Sequence, residues 1–317
     1  MPTLTIFSAP KPFTHPHIAT IQRNAIRSWQ LLGDEVDVLL LGEEEGLADA
    51  AAGLGVRHIS QIKRNENGTP LISSMLQTVR ANSDAGVLVL INADIILLPG
   101  FVESVHQVEH QAERFLIIGH RWDLDVPQLL EFGPGWDSQM KLRIQTDGKL
   151  HKSKGSDYFA FKRDQFEEYP DFAIGRAGWD NWTIYHARAQ GWAVVDATHD
   201  IAIIHQTHDY HHLPGGIIHY TLPESDENLR LAGGKRFIFT LLDANKVLVD
   251  GIVQPYPRSF TKWIRDFETI PVLKSRSRFW MDVFFYITHP VKLIRHKLPW
   301  LAKVLGLKGK VENDPGS

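Results

Sequence analysis

Val87-Leu-Val-Leu-Ile91, followed at once by Asn92-Ala93-Asp94, is the stretch on which the fold turns. Five consecutive apolar residues show neither strict alternation nor a helical stripe, so the run reads as a strand buried on both faces. Working outward toward the amino end, Leu4 to Phe7 is a second apolar strand, stopped by Ser8-Ala9-Pro10-Lys11-Pro12. From His17 to Leu32 the apolar positions Ile18, Ile21, Ala25, Trp29 and Leu32 recur at helical spacing, and Gly33 closes the helix. Val36 to Leu41 reads as another buried strand, Leu47 to Leu54 as a short helix, and Val56 to Ile59 as a strand. Thr69-Pro70 opens a helix from Leu71 to about Ala81, with Thr69 as its cap and Pro70 at the favoured first position. Strands alternating with helices across short connections specify an α/β protein with a parallel, doubly wound sheet and helices on both faces. Ligands of such sheets bind beyond the carboxyl ends of the strands. That rule draws Ser8-Ala9-Pro10, the Asn65 to Thr69 turn with Asn67 and Thr69, and Asn92-Ala93-Asp94 around one crevice.

Composition removes several function classes. The chain has 317 residues, 43% hydrophobic and 22% charged, an ordinary globular balance. It has no cysteine, which excludes disulfides, thiolate metal sites and cysteine nucleophiles. The opening Met-Pro-Thr-Leu-Thr-Ile-Phe lacks the basic and apolar regions of a signal peptide, and no apolar run is long enough to span a bilayer as a helix. Neither GxGxxG nor GxxxxGK[ST] occurs, so a bound nucleotide would need a metal or side chains to neutralise its phosphates.

Beyond the central strand, Phe115 to Gly119 is a strand leading into His120-Arg121-Trp122-Asp123, and a helical segment spans Trp136 to Ile144. Gly155-Ser156-Asp157-Tyr158-Phe159-Ala160-Phe161 reads as a strand with a polar entrance. Gly178-Trp179-Asp180-Asn181-Trp182 starts a helix running to about Ala189. An acidic or amide residue there is explained by capping alone. Two flanking indoles add a second reading, because indole faces stack on sugar rings and a carboxylate between them can bind a hydroxyl or take its proton. Trp192 to Val195 and Ile201 to His205 are further strands. Six of the 16 histidines fall between His199 and His219, four of them in His205-Gln-Thr-His208-Asp-Tyr-His211-His212. No HExxH is present, and the group follows a strand, so a hydrolytic helix-borne metal site is not indicated. Apart from His205, these histidines read as surface or loop polar residues.

Leu90-Ile91-Asn92-Ala93-Asp94-Ile95-Ile96-Leu97-Leu98-Pro99-Gly100-Phe101 resembles the region around the DxD motif of GT-A-fold nucleotide-sugar glycosyltransferases. The resemblance extends over roughly Thr3 to His212 through the order and spacing of its segments; no narrower family is assigned. It implies a GT-A-type mixed sheet in a domain over residues 1–257. The nucleotide-binding half would take about 1–100 and the acceptor half about 101–220. It further implies Asp94 as the main anionic ligand of a divalent cation, Mn or Mg, with His205 as a further ligand. Asn92 stands where the family usually has Asp, and an amide supplies no charge. Asp180 would be the catalytic base or acceptor-binding carboxylate. Trp122, Asp123, Ser156, Asp157, Trp179, Asn181 and Trp182 would line the sugar and acceptor side. The implied reaction is sugar transfer from a nucleotide-diphosphate donor to a glycan or lipid-linked hydroxyl. A nucleotidyltransferase on a similar sheet, and a non-catalytic sugar-binding protein on the same scaffold, are the alternatives.

The end of the chain differs in charge. From Arg258 to Lys310 there are 12 basic and 3 acidic residues, leaving 22 basic against 34 acidic elsewhere. Residues 258–317 read as a basic, amphipathic helical tail. It either packs on the body or on another subunit, or lies on an anionic membrane surface. The expected location is cytoplasmic, with a peripheral seat on the inner face of the membrane if the tail binds lipid. The acidic body and the absence of a recognition motif argue against nucleic acid.

Overall fold

In the computed structural model the chain is described over residues 2–154, 156–208 and 222–297. The first half alternates as its hydrophobic pattern requires: β1 (Leu4–Ser8), α1 (Pro16–Gln30), β2 (Val36–Leu41), α2 (Leu47–Leu54), β3 (Arg57–Ile59), α3 (Ile72–Asn82) and β4 (Val87–Ile91). β1 pairs in parallel with both β2 and β4, and every residue of β1 and β4 is buried. Side chains of a strand alternate between faces, so one run feeds two cores. Val87, Val89 and Ile91 enter the layer with Trp29 of α1, while Leu88 and Leu90 enter the opposite layer with Met75 of α3.

After β4 come β5 (Ile95–Leu97), α4 (Phe101–Gln111), β6 (Phe115–Ile118), β7 (Arg121–Leu124), α5 (Trp136–Asp147), β8 (Lys149–Leu150), β9 (Tyr158–Lys162), α6 (Trp179–Ala189), β10 (Ala193–Asp196) and β11 (Ile203–Gln206). Then follow α7 (Pro223–Leu231), β12 (Lys246–Val249) and β13 (Ile252–Pro255). The main sheet has nine strands in the order β13-β12-β10-β6-β9-β4-β1-β2-β3, with β9 antiparallel to both neighbours. It is the mixed α/β sheet, helices on both faces, that the sequence leads one to expect. A smaller sheet, β5-β11-β7-β8, lies beside it over its own core of Ile96, Leu124, Met140 and Ile204.

Two local expectations are corrected. α3 begins at Ile72 with Leu71 at the capping position and no side-chain cap; Thr69 does not cap it. Pro70 is instead bridged to Arg64, and Leu71 to Ala173, so the segment is an extended edge before the helix. Second, β7 is a strand where only a polar segment was read, because β11 supplies a parallel partner from far along the chain.

The carboxyl-terminal helices are α8 (Phe260–Ser275), α9 (Arg278–Thr288) and α10 (Pro290–Lys297). α8 is joined to the body by Val272, buried in the same layer as α6 side chains, and by Arg265, which donates to the buried Asp243 carboxylate at 2.7 and 3.0 Å. α9 contributes only Met281 to that layer. No helix among the described residues is long and apolar enough to cross a membrane.

Candidate active site

The small sheet sets the register of the site. Ile95 pairs with His205 across β5 and β11, and His205 pairs with Asp123 across β11 and β7. Asp94, one residue before β5, is therefore delivered to the row that carries His205 and Asp123. Its backbone is clamped: Gln206 donates to the Asp94 carbonyl from its side-chain Nε2 at 3.1 Å and from its backbone N–H at 3.3 Å. α1 holds the neighbouring strand, Trp29 Nε1 donating to the Ile95 carbonyl at 2.8 Å.

Asp94 Oδ2 lies 3.1 Å from His208 Nε2 and 3.8 Å from His205 Nε2. Ligand atoms of these three residues all fall within 4.8 Å of one another. Asp94 Oδ1 is buried without a hydrogen-bond partner, an oxygen left over after the protein's own donors are used. His205 is oriented from behind, its Nδ1 being 3.0 Å from Asp123 Oδ1. With Nδ1–H donating there, Nε2 presents a lone pair toward Asp94, the second-layer arrangement that metal-binding imidazoles use. A carboxylate oxygen with two imidazoles fits a divalent cation in donor type and spacing. Burial would push the Asp94 carboxyl up, but the His208 hydrogen bond and the charges of His205 and Lys11 outweigh it and hold it well below the usual range. Asp123 is likewise held low against burial by His205, His151 and Arg121. For His205, burial favours the neutral ring, yet Asp123 and Asp94 raise its pKa above the ordinary value.

A second layer of charge joins this group to the main sheet. Arg121 donates from Nη1 to both oxygens of Asp157, at 2.9 and 2.8 Å, and through Nε to Asp123 at 3.0 Å. Asn92 donates from Nδ2 to Asp157 Oδ1 at 2.7 Å, and its backbone N–H bonds the Asp157 carbonyl. The amide at position 92 thus holds Asp157, a task a carboxylate there would oppose by like-charge repulsion. His151 Nδ1 lies 2.8 Å from the other oxygen of Asp123.

Asp180 is the second residue of α6, after Gly178 at φ 104°, a conformation that disfavours any side chain. Burial pushes its carboxyl up to about 6, and the negative charge of Asp157 adds to the rise against backbone hydrogen bonds. A carboxylate poised near neutrality is suited to accepting a proton.

The tryptophans beside it are not open to a sugar. Trp179 and Trp182 are 5% and 8% exposed, packed against Phe159 and against Tyr169 and Phe172 respectively. Their i, i+3 spacing is that of the buried stripe of α6, which covers the sheet. Asn181 is likewise committed, donating to the carbonyls of Lys154 and Phe239. Ser8 and Ser156 are buried and bonded to backbone carbonyls, Ser8 to Ile91 and Ser156 to Tyr158. Trp122 is partly buried on the small core. Ala9 and Pro10 lie just past β1, at the crevice edge. In the Asn65–Thr69 turn, Asn65 accepts from the N–H groups of Asn67 and Thr69, and Asn67 is exposed.

Three contributors were not legible. Lys11 follows the Ser8-Ala9-Pro10 stop, its backbone pinned on both sides by Gln22; burial lowers its pKa, against the attraction of Asp94. Arg121 was visible only as part of a polar segment. His208, read as a loop residue, is almost wholly buried against Asp94; its three-residue spacing from His205 was the available signal. His211 and His212 lie outside the described residues. A cleft of about 770 Å³ bounded by Tyr169, His186, Gln190 and Arg276 is not lined by Asp94, Asp157, Asp180 or His205.

No family model matches the chain, and no curated protein does. Among solved structures, similarity is found to glucosyl-3-phosphoglycerate synthase from Mycobacterium tuberculosis. The complex with Mg2+ and uridine-diphosphate is 17% identical, with 65% of this chain and 72% of that chain covered at a TM-score of 0.42. The complex with uridine-diphosphate is 15% identical, covering 74% and 81% at 0.43. The complex with Mn2+, uridine-diphosphate and phosphoglyceric acid is 16% identical, covering 65% and 72% at 0.41. These are distant likenesses of chain path, and the chemistry of the site rests on its own residues.

Proposed function

We propose that the protein is a cation-assisted glycosyltransferase that moves a sugar from a nucleotide-diphosphate donor to an acceptor hydroxyl, on a glycan or a lipid-linked glycan. The observation that carries this is two unlike carboxylates linked through Asp157, whose charge acts on Asp180 and whose oxygens are held by Asn92 and Arg121 beside Asp94. Asp94 is held anionic beside two imidazoles with an oxygen to spare, whereas Asp180 is partly buried and raised to about 6. That division suits one carboxylate to cation binding and the other to proton transfer. Asp94, His205 and His208 would hold the cation. Two imidazoles suit Mn better than Mg, which prefers oxygen ligands. When bound, the cation supplies Lewis-acid stabilisation of the departing diphosphate. Lys11, drawn toward Asp94, adds positive charge on the same side. Asp180 accepts the acceptor's proton or orients its hydroxyl, and Asp157, held by Arg121 and Asn92, positions the sugar between the two carboxylates.

The test is release of nucleoside diphosphate from a panel of nucleotide sugars with Mn or Mg present. Donor cleavage that a chelator abolishes and Mn restores supports the reading. Turnover indifferent to chelator, or no binding of any donor with Mn, sinks it. The non-catalytic alternative draws on Asn92; donor binding by calorimetry without turnover on any acceptor would favour it.

A further inference from the structure

Among the described residues, the helix richest in aromatic side chains, α9, is also among the least covered. Of the large apolar side chains on α9, only Met281 is buried. Trp280 is 53% exposed and Ile287 63%, while on α8 Phe260 and Trp263 are 76% and 63% exposed. These positions are ordered. Phe260, Trp263 and Phe267 follow one stripe of α8, and Trp280, Phe284 and Ile287 follow one stripe of α9, both at three- and four-residue spacing. The rings of α8 stack in series, with centroids 6.2 Å apart from Phe260 to Trp263 and 6.1 Å from Trp263 to Phe267. Phe267 then stacks on Phe284 at 4.6 Å, which joins the two stripes into one apolar face. The opposite side of α8 is anchored to the body through Val272 and the Arg265–Asp243 pair, so the face is presented from a fixed scaffold.

Cations border the face. Arg258 and Lys274 are exposed on α8 and its flank. The acids are already engaged: Asp266 with Lys262, Asp282 with Arg236, and Glu268 buried against His289. Exposed indoles with phenyl rings, bordered by cations and without an uncommitted acid, match an anionic bilayer interface, where aromatic rings settle at headgroup depth and cations meet phosphate. A water-facing apolar patch of this extent is otherwise unfavourable.

We propose that the α8–α9 face is a membrane-docking surface that seats the protein on anionic lipid. The proposal is independent of the glycosyl-transfer reading, because binding to vesicles requires neither donor nor turnover.

The experiment is co-sedimentation of the full chain with vesicles of phosphatidylcholine, alone or mixed with phosphatidylglycerol. The full chain is expected to bind the mixed vesicles, little to the neutral ones, and less as salt rises above 0.1 M, where screening acts over about 10 Å. Trp263→Glu with Trp280→Glu is expected to lower partitioning at least about tenfold with an unchanged melting temperature, since both side chains face water. Lys274→Glu with Arg258→Glu, which touches no aromatic ring, is expected to lower it several-fold and to flatten the salt dependence. Absence of binding by the full chain overturns the proposal, as does equal binding by either double variant. A doubled mass by light scattering without lipid, lost in the tryptophan variant, would assign the face to a second copy and also overturn it.

Discussion

Two pairs of tryptophans divide this molecule. Trp179 and Trp182 sit beside the candidate base, where a sugar platform was expected, and both are sunk in the core. Trp263 and Trp280 sit on helices α8 and α9, where packing was one expectation, and both are mostly in water. All four lie on the apolar stripe of a helix, so local pattern does not separate them. What separates them is whether another element covers the stripe. α6 lies across the sheet and is covered, whereas α8 spends one side on the body and leaves the other to α9 and solvent. A site built on the first region must rely on carboxylates, amides and imidazoles, and a surface built on the second on rings and cations.

The contrast can be broken most sharply by stability. Trp182→Ala should cost about 3–5 kcal/mol, as large-to-small core changes do, and lower the melting temperature by several degrees or more. A denaturant melt showing less than about 1 kcal/mol would mean that the indole is not the packed residue described here. Next in size is the cation side of the site. Asp94→Asn should reduce turnover by about a hundredfold or more, the scale of losing one preorganised electrostatic contact, and should also lower the melt at neutral pH, because a carboxyl held below its ordinary range favours the native state. Turnover within a few-fold of wild type would remove Asp94 from the reaction.

Asp180 offers a pH reading. Its folded pKa of about 6 is above the ordinary 3.8, so the native state keeps the proton longer than the unfolded chain does. The stability this provides is complete at acid pH below 3.8 and is lost as pH rises through about 6. Activity needs the carboxylate, so it should rise through an acid limb near pH 6 and level above pH 7. Asp157→Asn should move that limb downward, because it removes the neighbouring negative charge. Asp180→Asn should abolish turnover yet melt no earlier than wild type at pH 8, where it relieves a partly buried, desolvated charge. An earlier melt there would return the residue to a capping role. The smallest effect belongs to the other tryptophan pair: Trp263→Ala should change stability by no more than about 0.5 kcal/mol in the absence of lipid. A cost near that of Trp182→Ala would show the face to be covered, and the comparison would fail.

Much of this architecture could be read from the chain, and the reason is physical. A run such as Val87–Ile91 has one stable environment, burial on both faces of a sheet, and the spacing of Ile18, Ile21, Ala25 and Trp29 has another, a helix laid across it. Asp94 could be found because it ends the central strand, and Asp180 because a glycine and a helix start flag it. Tertiary structure alone decided the rest. Arg121 and Asp123 gain their roles from pairing with His205, 82 residues away from Asp123. His208 becomes a partner of Asp94 only when β11 lies antiparallel to β5. Asn92 looked like a lost charge until Asp157 came within 2.7 Å of its amide. Which side of a helix meets water is likewise decided by what packs over it. Periodicity encodes an apolar stripe, but the partner that covers it, or fails to, comes from residues distant in sequence.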